Sequence, residues 1–236
     1  PLNRHAGATL IPMCGRFTLR SDGNALAQQF EAEPVQEGAG AGVGHWSAHY
    51  NLAPTQPVPV VRINPTGGGR ELILLRWGLV PPWSAPDKPP PALFNARAET
   101  LADKMVYRQA FRNRRCLIPA DGFYEWKAEG KRKQPWFVHR AGDGMFAFAG
   151  LWTGAACTIV TTEPVPLLKE LHNRMPAMLA PADYAGWLGP APLEVNERMA
   201  MLGRIPEDLE LHPVRPLVNH AAHDVPGCVE PWWEGS

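Results

Sequence analysis

Four groups of residues in this chain have types and spacings suited to a covalent reaction. The first is Met13-Cys14-Gly15-Arg16-Phe17, a cysteine directly after a methionine. If Met13 is the initiator, its removal, the normal fate of an initiator methionine before a small residue, leaves Cys14 with a free α-amine and a thiol on adjacent carbons. Such an aminothiol condenses with an aldehyde to an imine and closes a five-membered thiazolidine, which no internal cysteine can do. A lone cysteine also reads as a small buried hydrophobe. The second group, Phe94-Asn95-Ala96-Arg97-Ala98-Glu99, sets an amide two residues from a guanidinium. The amide can orient a nucleophile without competing for its proton, and the fork of donors suits a phosphate; an Asn before a helix is equally a cap. In the third, Gly122-Phe123-Tyr124-Glu125-Trp126, a carboxylate between two aromatic residues is expected to have a raised proton affinity and to serve as a general acid or base. A salt-bridged structural Glu is the plain alternative. The fourth, His172-Asn173-Arg174-Met175-Pro176, puts an imidazole at the end of a short helix, where the dipole favours its protonated form.

The elements that must position these groups follow from turn signals and periods. Residues 24–30, after Asp22-Gly23, predict a short helix, and residues 36–44 a Gly/Ala-rich loop. Pro57–Ile63 and residues 71–77 flank Pro65-Thr66-Gly67-Gly68-Gly69, a hairpin signal. Residues 84–91 are Pro-rich and exclude a helix. Residues 98–113 set an apolar face (Ala102, Val106, Ala110) against a basic one (Lys104, Arg108, Arg112), the pattern of one amphipathic helix. Runs 136–140, 145–152 and 157–162 read as strands, and 166–172, 181–188 and 193–203 as short helices. Together they predict an α+β fold, a single domain around a curled, barrel-like antiparallel sheet with flanking short helices.

The 236 residues, 45% hydrophobic with nine tryptophans, suffice for a substantial core. No run approaches the ~18 apolar residues of a membrane span, and a cytoplasmic location is expected. Cys14, Cys116, Cys157 and Cys228 are widely spaced with no Cys-x-x-Cys pair, which argues against a zinc site and a disulfide framework. His45 with His49 and His220 with His223 have chelating spacings but no partner to complete a set, so no metal is expected. The absence of a phosphate-cradling glycine loop predicts no nucleotide cofactor. Net charge is zero, yet residues 1–182 carry 20 of the 23 Lys+Arg against 14 of the 23 Asp+Glu, and residues 183–236 carry 3 against 9. Local fields, not net charge, steer a polyanion, so a basic face remains open. The run 127–133 reads as a solvated hairpin tip or a non-specific DNA contact.

Taken with Tyr50-Asn51-Leu52-Ala53-Pro54-Thr55-Gln56 and Arg76-Trp77-Gly78-Leu79-Val80-Pro81-Pro82-Trp83, these segments resemble, in order, the SRAP family, the SOS-response-associated peptidase type. The resemblance runs from Met13 to about Pro226, and residues 1–12, without methionine or period, are set aside as a non-native or unprocessed lead. It implies a protein that recognises abasic sites in single-stranded DNA and traps them as a covalent crosslink through Cys14. Carried over residue by residue, it makes Cys14 the aminothiol, Asn95 its positioner, Glu125 the acid/base and His172 a second proton-transfer group. Arg16, Arg97 and Arg174 would hold phosphates, and Pro54 and Trp83 would stack or wedge against bases, a buried core tryptophan being the alternative for the latter. Two rivals stay open. One is a thiol autopeptidase in which Cys14 attacks the Met13 carbonyl, assisted by Glu125 or His172. The other is a reversible binder of damaged or modified DNA, with no covalent product.

Overall fold

The structure, a computed structural model, describes residues 15–35, 42–81, 84, 92–130, 132–189, 194–204 and 206–233. Its strands in chain order are β1 (Phe17–Leu19), β2 (Glu33–Pro34), β3 (His49–Leu52), β4 (Pro57–Ile63), β5 (Arg70–Trp77), β6 (Asn95–Arg97) and β7 (Arg115–Ala120). They continue with β8 (Gly122–Glu129), β9 (Arg132–Arg140), β10 (Phe146–Thr153), β11 (Ala156–Thr162), β12 (Met175–Pro176), β13 (Met178–Leu179) and β14 (Leu209–Pro213). The α-helices are α1 (Gly23–Phe30), α2 (Met105–Asn113), α3 (Tyr184–Leu188) and α4 (Val195–Leu202).

Two sheets result. In the first, five strands run in the order β14-β9-β8-β1-β3. In the second, β4 pairs with β5 and β7, β7 with β10, and β10 with β11, all antiparallel, and a short parallel pairing of β11 with β5 closes the ring. The α+β class and the curled sheet are as the sequence implied. Strand β7 is buried at every position because α2 and α3 pack on it while β1 lies against it elsewhere, the uniform burial of a strand covered on both faces.

The sheets are fastened by aromatic rings. Phe17 of β1 meets Phe148 of β10 edge-on at 5.8 Å and Trp77 of β5 at 5.1 Å, and Phe123 of β8 meets Phe148 at 6.0 Å. Such contacts add about 0.5–1.5 kcal/mol each beyond area burial. A second, smaller core of Tyr124, Trp126, Phe137, Val214, Val218 and Cys228 lies on the opposite face of the five-stranded sheet. It is roofed by the C-terminal segment, which is tied down at β3. Buried Asn51 donates Nδ2–H to the carbonyls of Val218, His220 and His223, and Asp224 accepts from the N–H groups of Tyr50 and Asn51 and pairs with His49.

Several expectations hold locally: Asp22 caps α1 by accepting from Ala25 N–H, the 57–77 hairpin forms, and Gly130, at φ +59, turns the β8–β9 hairpin. The long helix does not form as expected. Residues 98–113 divide into a 3-10 turn at Ala98–Thr100 and α2, with extended Lys104 between them. Ala98 and Leu101 are drawn into the core ahead of the helix, so the period shifts and the buried face becomes Tyr107, Ala110 and Phe111. Residues 166–172 make only a 3-10 turn at Pro166–Leu168. Of the metal-spaced histidines, His49 pairs with Asp224, and the rings of His220 and His223 lie edge-on to each other at 5.6 Å. Among the described residues no three His, Cys, Asp or Glu side chains gather as a metal site, and no helix is long and apolar enough to cross a membrane.

Candidate functional site

The site is organised around the start of β1. The Arg16 carbonyl accepts the N–H of Tyr124 at 3.0 Å, extending the β1–β8 ladder beyond Phe17. The chain just upstream of β1, with Gly15 buried, therefore runs beside Glu125. Cys14 itself lies outside the described residues, as do residues 1–13. Of the four cysteines, Cys116, Cys157 and Cys228 are free, buried thiols, all with pKa raised by burial. A thiol held protonated is a poor nucleophile, so none of the three is suited to that role.

Glu125 is only 3% exposed, but the aromatic residues beside it in the sequence are not the ones that share its face. Successive strand side chains point to opposite faces, so Tyr124 and Trp126 belong to the second core while Glu125 shares the face of Phe123, across from Trp136 on β9. The aromatic surroundings are Phe123 and Trp136, reached across and along the strand.

Asn95 and Arg97 lie on β6, which adds parallel to β11 with Asn95 opposite Ile159 and Arg97 opposite Thr161. Three bonds fix this strand. Trp77 Nε1–H donates to Phe94 O at 2.9 Å, Ile159 N–H to the same carbonyl at 3.0 Å, and Tyr107 O–H to Asn95 O at 3.2 Å. Asn95 is thus a strand residue, not a helix cap. Trp77, fully buried, touches Phe17 on one side and Phe94 at 6.2 Å on the other. This chain of rings sets the spacing between Arg16, which precedes Phe17, and Asn95, which follows Phe94.

A second cluster of candidate residues lies at the end of β11, where β12 pairs at Thr161 and Thr162. The Arg174 guanidinium makes a fork with Glu99 (2.7 and 3.0 Å) and donates to Thr161 O at 2.5 Å. Glu99, to which sequence reasoning assigns no function, is the group that aims Arg174. Burial acts to raise the Glu99 pKa, and the bonds from Arg174 outweigh it, leaving the carboxyl below its ordinary value. Exposed Arg97 adds its charge to the same cluster. Arg16 is half-buried, its pKa lowered by desolvation, and its Nε has no partner among the described residues. A cation in that state is short of an anion.

The segment that carries His172 meets the β8–β9 hairpin, where Lys127 pairs with Glu170 at 3.0 Å and Lys133 contributes to the field at the His172 ring. The expectation of a protonated imidazole is corrected: burial, then the Lys133 and Arg174 charges, hold the His172 pKa below its ordinary value. A single 3-10 turn carries too little dipole to oppose them. Nδ1 accepts the Arg174 N–H at 3.1 Å, so the neutral ring carries its proton on Nε2.

The Pro54 turn is bound to the Trp77 strand end by Thr55 N–H to Trp77 O at 2.7 Å and Trp77 N–H to Gln56 O at 2.8 Å. Pro54 is half-exposed there; Trp83 lies outside the described residues.

The segments so assembled match the SOS response associated peptidase (SRAP) family over residues 13–221. The chain belongs to that family. Among SRAP relatives it is 36% identical over 229 residues to the abasic site processing protein YoqW of Bacillus subtilis, an alignment covering 92% of this chain and 99% of YoqW. It is 31% identical over 228 residues to the abasic site processing protein HMCES of Gallus gallus, covering 80% of this chain and 67% of HMCES. A solved protein of Bacteroides thetaiotaomicron superposes with a TM-score of 0.79 at 21% identity, covering 93% of this chain and all of that one, a likeness of fold.

Proposed function

We propose that this SRAP protein binds abasic sites in single-stranded DNA and captures them covalently through Cys14 once that residue is the first of the chain. The observation that carries this reading is the placement of buried Glu125 beside the strand entry that follows Cys14, with Asn95 held at a fixed spacing by the Phe17–Trp77–Phe94 rings. In the open-chain form an abasic deoxyribose is an aldehyde. The Cys14 amine adds to it, the carbinolamine loses one water to give an imine, and the thiol adds across the C=N bond to close the thiazolidine, so the net change is loss of one water. Glu125 supplies the proton that expels water and accepts the thiol proton on ring closure. Asn95 orients the aminothiol, and neutral His172 accepts a proton as the sugar ring opens. Arg16, Arg97 and Arg174 hold backbone phosphates, and Pro54 and Trp83 meet the bases beside the gap.

Because Cys14 is preceded by Met13, capture needs prior removal of everything upstream. Attack of the Cys14 thiolate on the Met13 carbonyl, assisted by Glu125 or His172, breaks the Met13–Cys14 amide to leave a thioester and the free Cys14 amine. Water then hydrolyses the thioester, releasing the upstream peptide as a carboxylic acid and freeing the thiol without a second enzyme. Intact mass after incubation with an oligonucleotide bearing one abasic site reports processing and capture together. Protein beginning at Cys14 should gain the oligonucleotide mass less one water, and Cys14→Ser should give no heat-stable adduct, an oxazolidine being far less stable. A stable adduct from Cys14→Ser sinks the thiazolidine mechanism, and reversible binding with no adduct from the wild type favours a non-covalent binder.

A further inference from the structure

Three tryptophans, Trp136, Trp232 and Trp233, wall a cleft of about 170 Å³ completed by Glu129, Gln134 and Pro213. Trp136 is the cross-strand partner of Glu125, and Pro213 pairs with Trp136 on edge strand β14. The cleft therefore lies toward the sheet edge, on the face that Trp136 shares with Glu125. Trp232 is fixed by its N–H to Pro213 O at 2.8 Å and is shared with a neighbouring cavity of about 400 Å³ that holds Arg215, His220 and His223. Trp233 is 57% exposed. Both lie beyond residue 221, where the family match ends.

We infer that this cleft is a stacking subsite for one unpaired nucleobase of the strand flanking the lesion, with Arg215 placed for the next phosphate. The inference rests on the protein being a binder of single-stranded DNA. A cleft this small, below the size of pockets that take whole ligands, suits a single planar ring system. Indole faces stack any base, which fits a flank of variable sequence. The Trp136 Nε1–H is buried without a hydrogen-bond partner among the described residues, a donor in want of an acceptor, and base edges and phosphates present acceptors. Three indoles and a carboxylate also suit a methylated ammonium. That occupant is disfavoured because the Lys127 ammonium, held by Glu170 at 3.0 Å, already lies 6.0 Å from the Trp136 ring centroid and takes the cation's place on that ring.

Fluorescence anisotropy with undamaged and abasic oligonucleotides tests this. Trp233→Ala should weaken binding of a long undamaged strand by roughly 5- to 150-fold, the range of one lost base–aromatic stack, and Trp233→Phe should restore most of it. Equal affinity of Trp233→Ala and wild type for the long strand, in protein whose wild type forms the abasic adduct, overturns the subsite. So does binding of a trimethyllysine peptide in its place. Wild type that holds the long strand through Trp233 but forms no adduct supports the subsite and removes the covalent function instead.

Discussion

At the scale of residues, the protonation states of the site are set by burial and by neighbouring charge more than by sequence neighbours. His172 is the clearest instance. Its folded pKa lies below the ordinary 6.5, so the unfolded chain binds more protons between the two values. The contribution to stability is therefore intact above about 6.5 and is lost as pH falls through the folded pKa. The ring is neutral at pH 7, ready to accept a proton. Lys133→Ala removes one cause of the depression and should move the acid limb of the pH–rate profile for adduct release to higher pH. An unmoved limb in time courses on denaturing gels means that the Lys133 charge does not reach the ring. The types of Asn95, Glu125, His172 and Arg174 were legible as chemistry, but their states were not. Glu125 stands between aromatics in the sequence, yet strand alternation turns Tyr124 and Trp126 away from it, and that is readable only once β8 is known to be a strand.

At the scale of elements, the β1–β8 contact governs the site, and it depends on a residue without a side chain. A Cβ on Gly122 would lie 2.2 Å from the Phe137 ring and 3.1 Å from Thr18 Oγ1. Gly122→Ala forces β8 away from β1 or displaces the ring, an overpacking cost of about 1–3 kcal/mol. It should slow adduct formation in molecules that remain folded, because the Cys14 entry moves relative to Glu125. A variant with lowered thermal stability but wild-type formation rate shows that the strain is absorbed at Phe137 alone. The 57–77 hairpin, α1 and the strands around 146–162 were legible because turn signals bound them. Strands β7 and β8 carried no such signal: continuous burial erases the alternation that marks a strand, and Pro119 within β7 argues against one. The helix expected over 98–113 failed because the pull of Leu101 into the core is a tertiary effect that local periodicity does not contain.

At the scale of the whole molecule, the long-range closures are the least legible part. Nothing local in residues 76–77 and 156–157 announces the parallel pairing that closes the ring, and nothing in Tyr50-Asn51 foretells that Asp224 and three carbonyls of the C-terminal segment converge there. The charge asymmetry between the two parts of the chain was visible, and one acidic residue of the later part, Asp224, serves this attachment. Asn51→Ala should lower the unfolding midpoint in denaturant with little change in slope, by at least about 2 kcal/mol for lost bonds and stranded acceptors. A loss within about 0.5 kcal/mol indicates that the tail is held by its apolar core alone. The rings of Phe17, Trp77 and Phe94 bear on how the protein fails when heated. They work as a gauge block between the two sides of the site, made of the same packed interior that holds the fold together. The geometry of the candidate site and the tertiary structure thus share one melting event, and inactivation ahead of denaturation, common where chemistry rides on loops, has no structural basis at the spacing of Arg16 and Asn95.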